Sequence, residues 1–130
     1  MRERAEMSED ALREFVRRRE DGNERVLRGA TLSIRRFFAL DHDAYAEGAL
    51  TRREKELLGL AASMVLRCDD CVAYHLREAH ACGAERAAVV ETLGVALVVG
   101  GSITIPHLRH AFEIVDALWG ELPATPDGKT

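Results

Sequence analysis

The sequence predicts an all-α fold, a compact domain of about six helices. Apolar residues recur at the three- and four-residue spacings of helices along the 130-residue chain, and no segment sustains the two-residue alternation of a strand. A composition of 47% hydrophobic and 31% charged residues is typical of a soluble globular protein. The length predicts a single domain over residues 1–122, followed by a flexible tail at 123–130 that contains Pro and Gly.

Two helices are expected in the first third of the chain. Ser8, followed by two acidic residues, is typical of a helix start, and this helix is expected to end near Glu20. Asp21-Gly22-Asn23 is expected to interrupt the helical pattern, with Asn23 capping a second helix. The apolar stripe of that second helix is formed by Val26, Ala30, Ile34, Phe37 and Phe38.

The two central helices have clearer ends. Thr51-Arg52-Arg53-Glu54 is a capping box, and the helix that it opens is expected to run to about Arg67. Asp69 or Asp70 can cap the following helix, because the side-chain oxygen of an aspartate accepts hydrogen bonds from free N–H groups. That helix is expected to end at Gly83, a residue type that commonly ends helices.

The fifth predicted helix, over residues 84–99, is apolar nearly all round and is therefore expected to be buried on more than one side. Gly100-Gly101 is expected to end it. The last helix is expected to begin at Ser102 or Thr104 and to end at Trp119.

Charge and hydropathy argue against two classes of function. A net charge of −4 argues against a general nucleic-acid-binding protein. The most apolar stretch, residues 89–105, is interrupted by polar residues and glycines, whereas a membrane span needs about 20 apolar residues. The charged N-terminus lacks the apolar segment of a signal peptide. We therefore expect a cytoplasmic protein with neither nucleic-acid nor membrane partners.

The motif that carries chemistry is Cys68-Asp69-Asp70-Cys71, followed by His75. Three cysteines are a low, odd number, so in a reducing compartment the CxxC pair indicates redox chemistry or metal binding. Free N–H groups at a helix start and a nearby imidazole both lower thiol pKa values. Cys71 and His75 lie one turn apart on the same helix face, and Cys68 is close enough to Cys71 for a disulfide. Asp69 and Asp70 oppose this effect, because their charges raise thiol pKa values.

Two alternatives remain open at this motif. The residues could be two buried thiols and a hydrogen-bonded histidine without any chemistry. They could also belong to a non-enzymatic zinc or redox-sensing module, in which Cys82, His80 or Glu56 would complete the ligands. No second CxxC and no HxxxH motif is present to complete such a site, and we expect neither a metal nor a cofactor.

Glu56, Cys68, Cys71 and His75 together resemble the carboxymuconolactone decarboxylase superfamily and, within it, the alkyl hydroperoxidase AhpD-like branch. The branch pattern is a glutamate, about a dozen residues, and then CxxCxxxH, with which these four residues are in register. The likeness extends over residues 50–118. It implies a compact AhpD-like helical fold that assembles into homo-oligomers, usually trimers or hexamers.

The resemblance also implies an activity, that of a thiol-dependent peroxidase or disulfide oxidoreductase that reduces hydroperoxides through a reversible Cys68–Cys71 disulfide. Cys71 would be the attacking thiolate and His75 its base. Glu56 would relay the proton through a water, and Cys68 would be the resolving thiol. A dithiol such as dihydrolipoamide, or a thioredoxin-like protein, would then reduce the disulfide.

A second activity is left open by the resemblance. Decarboxylase-type lyases of the superfamily generally lack the cysteine pair, and they would need cationic groups to bind the carboxylate of a lactone acid. The best-known AhpD proteins have a histidine where this chain has Asp70, which removes a possible proton-relay group and adds a negative charge. Cys82, His107 and His110 are expected to lie outside the site.

The apolar region at residues 84–118 is predicted to form a subunit interface. Helices that are apolar nearly all round are hard to bury in a 130-residue monomer, so a second copy is expected to cover them. Light scattering at micromolar concentration should show an oligomer, and a monomer would contradict the prediction.

Overall fold

Six α-helices make up the part of the chain that the structure describes. This computed structural model describes residues 2–123, with side chains from residue 9 onward, so the predicted tail lies outside it except for Pro123. The elements are α1 (Arg2–Arg28), α2 (Leu32–Ala44), α3 (Arg52–Val65), α4 (Asp69–Ala81), α5 (Arg86–Gly100), a 3₁₀ turn (Ser102–Thr104) and α6 (Ile105–Trp119). No β-strand occurs within residues 2–123, and the predicted all-α class with about six helices is confirmed. None of the described helices combines the length and the apolar character needed to cross a bilayer.

The core is built by the last four α-helices. α3 packs against α4 and α5, and α6 packs against α4, α5 and α1. Burial of apolar side chains between these helices is the main force that holds them together. The buried apolar residues are Leu60, Met64, Val72, Ala73, Leu76, Ala79, Ala84, Val89, Leu93, Ala96, Ala111, Ile114 and Val115.

The predicted capping box opens α3 as expected. The Thr51 hydroxyl accepts a hydrogen bond from the Glu54 N–H at 3.1 Å, and the Thr51 N–H donates to the Glu54 carboxylate at 2.9 Å. Two free N–H groups at the helix start are thereby satisfied. α3 therefore begins at a defined residue, and its later turns reach the site in a fixed register.

The predicted break at Asp21-Gly22-Asn23 is wrong, because α1 continues through these residues to Arg28. A glycine inside an exposed helix costs only about 1 kcal/mol relative to alanine, which neighbouring interactions can offset. Arg17 pairs with Glu14 at 2.6 Å and lies 3.9 Å from Asp21, so charge pairs continue into the predicted break. The chain turns only at Gly29, and Thr31 rather than Asn23 caps α2.

The cap of α4 also differs from the prediction. Cys68 occupies the cap position in place of Asp69 or Asp70, and its sulfur accepts a hydrogen bond from the Cys71 N–H. The chain enters this position through Arg67, which has a φ of +59°. Positive φ is uncommon for a residue with a side chain, and it turns the backbone sharply between α3 and α4. The sharp turn places a cysteine, not an aspartate, at the helix start.

α5 is buried on one side only, whereas burial on more than one side was expected. Val89, Leu93 and Ala96 are buried, while Val95, Val98 and neighbouring apolar residues are exposed. An apolar face of α5 is thus left uncovered by the described part of the chain. The subunit interface expected at residues 84–118 stays a prediction.

α2 contributes nothing to the core. Its N-cap is well formed, with the Thr31 hydroxyl accepting from the Ile34 N–H, but no residue of the helix is buried. Phe37, a member of the predicted apolar stripe, is 67% exposed, and Leu32 and Leu40 are exposed as well. Of the apolar side chains of α2, Phe38 is half-buried and the others are exposed in the described part of this chain.

Thr51→Ala and Thr31→Ala are the same substitution at the same kind of cap, so they test how much each helix contributes to global stability. Thr51→Ala is expected to lower the free energy of unfolding by about 1 kcal/mol, because α3 carries part of the core. Thr31→Ala is expected to lower it by less than half as much, because no residue of α2 is buried in the described core. Urea denaturation measures both changes, and equal losses would show that α2 belongs to the cooperative folding unit.

Candidate functional site

The two cysteines of the motif lie at the start of α4. Cys68 is the cap residue and Cys71 lies in the first turn, with their Cα atoms 5.2 Å apart and their sulfurs joined in a disulfide. The Cys71 N–H donates to the Cys68 sulfur at 3.3 Å. Cys71 is exposed and Cys68 is half-buried. The redox-capable pair is therefore open to solvent and lies at the positive end of the helix dipole.

His75 and Glu56 form a buried pair behind the cysteines. Residue 75 follows Cys71 by one turn of α4, and Glu56 reaches it from the neighbouring helix α3. The His75 Nδ1–H donates to Glu56 Oε1 at 2.8 Å, with Glu56 fully buried and His75 nearly so. The pair is in direct contact. A water between Glu56 and His75 is not needed to join them.

Tyr45 is a third member of the site, and the sequence analysis missed it. Its hydroxyl lies 3.4 Å from His75 Nε2, and the two ring centroids are 5.4 Å apart. Burial raises the pKa of Tyr45, and the nearby charges of Glu56 and Asp41 raise it further, so the phenol keeps its proton. Tyr45 is thus the donor and Nε2 the acceptor, which agrees with an Nδ1–H donated to Glu56.

The segment that carries Tyr45 is tied to α3 by Lys55. The Lys55 ammonium donates to the carbonyls of Ala44 at 3.0 Å and of Ala46 at 2.6 Å, on either side of Tyr45. These bonds hold a loop that follows the otherwise unpacked helix α2. No spacing rule relates Tyr45 to a histidine 30 residues later, so only the folded chain brings them together.

Gly59 makes room for this arrangement. A methyl group at Gly59 would lie 2.7 Å from the Tyr45 hydroxyl, 2.7 Å from His75 Cε1 and 2.9 Å from His75 Nε2. These distances are shorter than van der Waals contact, so a side chain at this position would displace the imidazole or the phenol. A glycine that is unfavourable for helix propensity is thus explained by the site that α3 supports.

Arg52 is the cation nearest to the free oxygen of Glu56. Its Nε lies 4.0 Å from Glu56 Oε2, and its guanidinium donates to Glu78 Oε2 at 3.3 Å. Neither Arg52 Nε nor Glu56 Oε2 has a hydrogen-bond partner. A buried carboxylate without a cation nearby is costly, so Arg52 supports Glu56 electrostatically from one turn away.

Three further expectations concern the contacts of His75 with the cysteines, the position of Cys82 and the position of His107. In the disulfide state, no hydrogen bond joins His75 to either cysteine sulfur among the described contacts. Cys82 is a free, half-buried thiol at the opposite end of α4. His107, expected to lie apart from the site, instead pairs with Asp69 beside the cysteines at 2.7 Å.

A metal site is not assembled by the described residues. Within residues 9–123 no three His, Cys, Asp or Glu side chains are grouped so that they could hold an ion. His80, one of the possible fourth ligands, packs edge-on against Trp119 with ring centroids 4.9 Å apart. The residues that contact the His75 ring through hydrogen bonds are Glu56 and Tyr45.

Residues 33–117 match the model of the carboxymuconolactone decarboxylase family. A relative from Paracoccus denitrificans, named as an uncharacterised protein 4 in the cox locus, is 30% identical over 84 residues. The matched segment is 65% of this chain and 76% of that protein.

Two solved structures are similar in fold. A carboxymuconolactone decarboxylase family protein from Thermotoga maritima, suggested to be involved in an antioxidative response, has a TM-score of 0.77 and 50% sequence identity. The match covers 81% of this chain and 89% of that one. An apo family protein from Legionella pneumophila has a TM-score of 0.58 and 25% identity, covering 93% of this chain and 100% of that one.

Gly59→Ala is expected to disrupt the site although alanine favours helices. The helix propensity gained, about 1 kcal/mol, is outweighed by overpacking against His75 and Tyr45, which typically costs about 1–3 kcal/mol. Urea denaturation and the alkylation rate of Cys71 in the reduced protein should both change. Gly22→Ala in α1 is the matched control, because nothing lies within 4 Å of its added methyl group. The control is expected to be stabilising, and equal stability of the two variants would contradict the packing argument.

Proposed function

Because this chain belongs to the carboxymuconolactone decarboxylase family, we propose that it is an AhpD-like thiol peroxidase or disulfide oxidoreductase. The observation that carries the proposal is a solvent-exposed CxxC pair at a helix start, one turn from a histidine that is bonded to a buried glutamate. Thiols in such surroundings are acidic and reactive. The suggested antioxidative role of the Thermotoga maritima relative supports the same class of chemistry.

The proposed reaction uses both cysteines. The Cys71 thiolate attacks the distal oxygen of a hydroperoxide, the O–O bond breaks, and the alcohol leaves after taking up one proton. Cys71 is oxidised to a sulfenic acid. The Cys68 thiol then attacks this sulfur, and water leaves as the disulfide forms. A dithiol reductant, such as dihydrolipoamide or a thioredoxin-like protein, returns both cysteines to thiols by exchange and is itself oxidised to a disulfide.

His75 is the proposed base. With Nδ1–H donated to Glu56, the basic lone pair is on Nε2, which faces the Tyr45 hydroxyl in the disulfide state. Nε2 would exchange this contact for the Cys71 thiol once the disulfide is open. Glu56 would stabilise the imidazolium that results, since its carboxylate lies 2.8 Å away in a buried position where charge pairs interact strongly. Tyr45 would hold the ring from the Nε2 side.

We also propose a homo-oligomer as the working state. The exposed apolar residues of α5, among them Val95 and Val98, support an interface in the region predicted from the sequence. α2 supports the same proposal, because a second copy would cover the apolar side chains of α2 that the described part of this chain leaves exposed.

Limiting hydroperoxide tests the proposed reaction. When the reduced protein is mixed with less than one equivalent of cumene hydroperoxide, two thiols are expected to disappear per peroxide consumed. Cys71→Ser should abolish the reaction, because Cys68 has no base one turn along α4. A thiol-reactive dye measures the loss.

Cys82→Ser is the matched control, since it removes the remaining cysteine without touching the site. It should retain the wild-type stoichiometry and rate. Full turnover in Cys71→Ser would refute the assignment of the nucleophile, and a loss confined to Cys82→Ser would move the chemistry to the other end of α4.

A further inference from the structure

A second imidazole–carboxylate pair lies beside the cysteines. His107 in the first turn of α6 contacts Asp69 in the first turn of α4, with Nδ1 and Oδ1 2.7 Å apart. Asp69 directly follows Cys68 in the chain. We propose that His107 is a positioning residue: it holds the Asp69 carboxylate on α6 and offsets its charge, and so favours the thiolate form of the CxxC pair.

The reason lies in what an acid does at a helix start. The first N–H groups of a helix are free and carry partial positive charge, and both carboxylates and thiolates are attracted to them. An unrestrained Asp69 would compete with a thiolate for these groups, and its charge would raise the pKa of the neighbouring thiols. The opposing effect of the two aspartates was left open by the sequence.

The contacts show how this competition is reduced. The Asp69 carboxylate is bonded to His107 across the gap between α4 and α6, while the Cys71 N–H donates to the Cys68 sulfur. The amide in the first turn is thus available to sulfur. The imidazole N–H that donates to the Asp69 carboxylate also opposes part of its negative field at the cysteines.

The other charged groups around this corner fall into two sets. A cavity of about 330 Å³ between α1, α4 and α6 is lined by Asp69 and Asp70 together with His110 and Glu113. On the α1 side, a second cavity of about 490 Å³ brings Asp70 together with Glu14, Arg18 and Arg19. Asp70 therefore has arginines of α1 nearby, and Glu14 is engaged by Arg17. For Asp69 the bonded partner is His107.

The test is the thiol pKa of the reduced protein, followed by thiolate absorbance at short ultraviolet wavelength in a Cys82→Ser background. His107→Gln is expected to raise the lower thiol pKa by about 0.5–1 pH unit, as expected for one uncompensated charge near a partly solvated thiol. Asp69→Asn is expected to lower the same pKa. His80→Gln, at the opposite end of α4, is the matched control and should leave the pKa nearly unchanged.

A double-mutant comparison separates this role from others. In the Asp69→Asn background, His107→Gln should change the thiol pKa by less than a third of its effect in the wild type. With Asp69 present, the thiol pKa shift caused by His107→Gln should also be smaller in 1 M salt, because salt screens the charges of the partly exposed His107–Asp69 pair. A shift with a merely structural cause would not depend on salt. No pKa shift in His107→Gln, or an equal shift with Asp69 absent, would overturn the proposal.

The inference rests on the proposed function only in that a thiolate is the reacting form. The two can fail separately, because the titration needs no substrate. If His107→Gln shifts the thiol pKa as expected but the protein consumes no hydroperoxide, the proposed peroxidase activity is refuted and the role of His107 stands. If His107→Gln consumes hydroperoxide with unchanged rate and pH dependence and its thiol pKa is not shifted, the role of His107 is refuted and the proposed peroxidase activity stands.

Discussion

The hydrogen bond between Glu56 and His75 is the interaction on which the rest of the site depends. It joins two helices that meet in the core, and it puts a carboxylate where no solvent reaches it. A buried ionisable group persists only when its surroundings compensate for lost hydration. Arg52 on one side and the imidazole on the other supply that compensation, so the core of the protein and its chemistry share the same residues.

Several neighbouring residues hold the hydrogen bond between Glu56 and His75 in place. Gly59 leaves the space that the imidazole occupies, and Lys55 ties down the loop that brings Tyr45 to it. On the other side of the imidazole, Tyr74 packs edge-on against it and Arg19 of α1 lies over the Tyr74 ring at 3.8 Å. The histidine is thus held from α3 and from the loop after α2, although it belongs to α4, and α1 contacts its neighbour Tyr74.

Much of the fold follows from local sequence signals, and the failures have a common cause. The capping box at Thr51 and the glycine at position 83 mark helix ends that depend only on nearby residues, and both were predictable. The break expected at Asp21-Gly22-Asn23 was wrong because one exposed glycine costs a helix only about 1 kcal/mol, and the charge pairs of α1 continue across it. A local breaker signal does not end a helix whose neighbouring turns continue.

The residues of the site also fall into those that could be predicted from the sequence and those that could not. The one-turn spacing of Cys71 and His75 could be derived from the chain, whereas the approach of Glu56 rested on family likeness, since two helices must cross at the right depth. Tyr45 and His107 could not be found, because their partners lie 30 and 38 residues away and no motif connects them. Long-range pairs of single polar residues leave no periodic trace in a sequence.

The unequal exposure of the two cysteine residues would give disulfide exchange a direction. Cys71 is exposed and Cys68 is half-buried, so a thiol arriving from outside would reach Cys71 more readily. The mixed disulfide would then form on Cys71, and Cys68 would depart as the leaving group beside the amide that already donates to it. A better-stabilised leaving thiolate departs faster in exchange. The N–H groups at the start of α4 would thus assist the reduction of the disulfide as well as its formation.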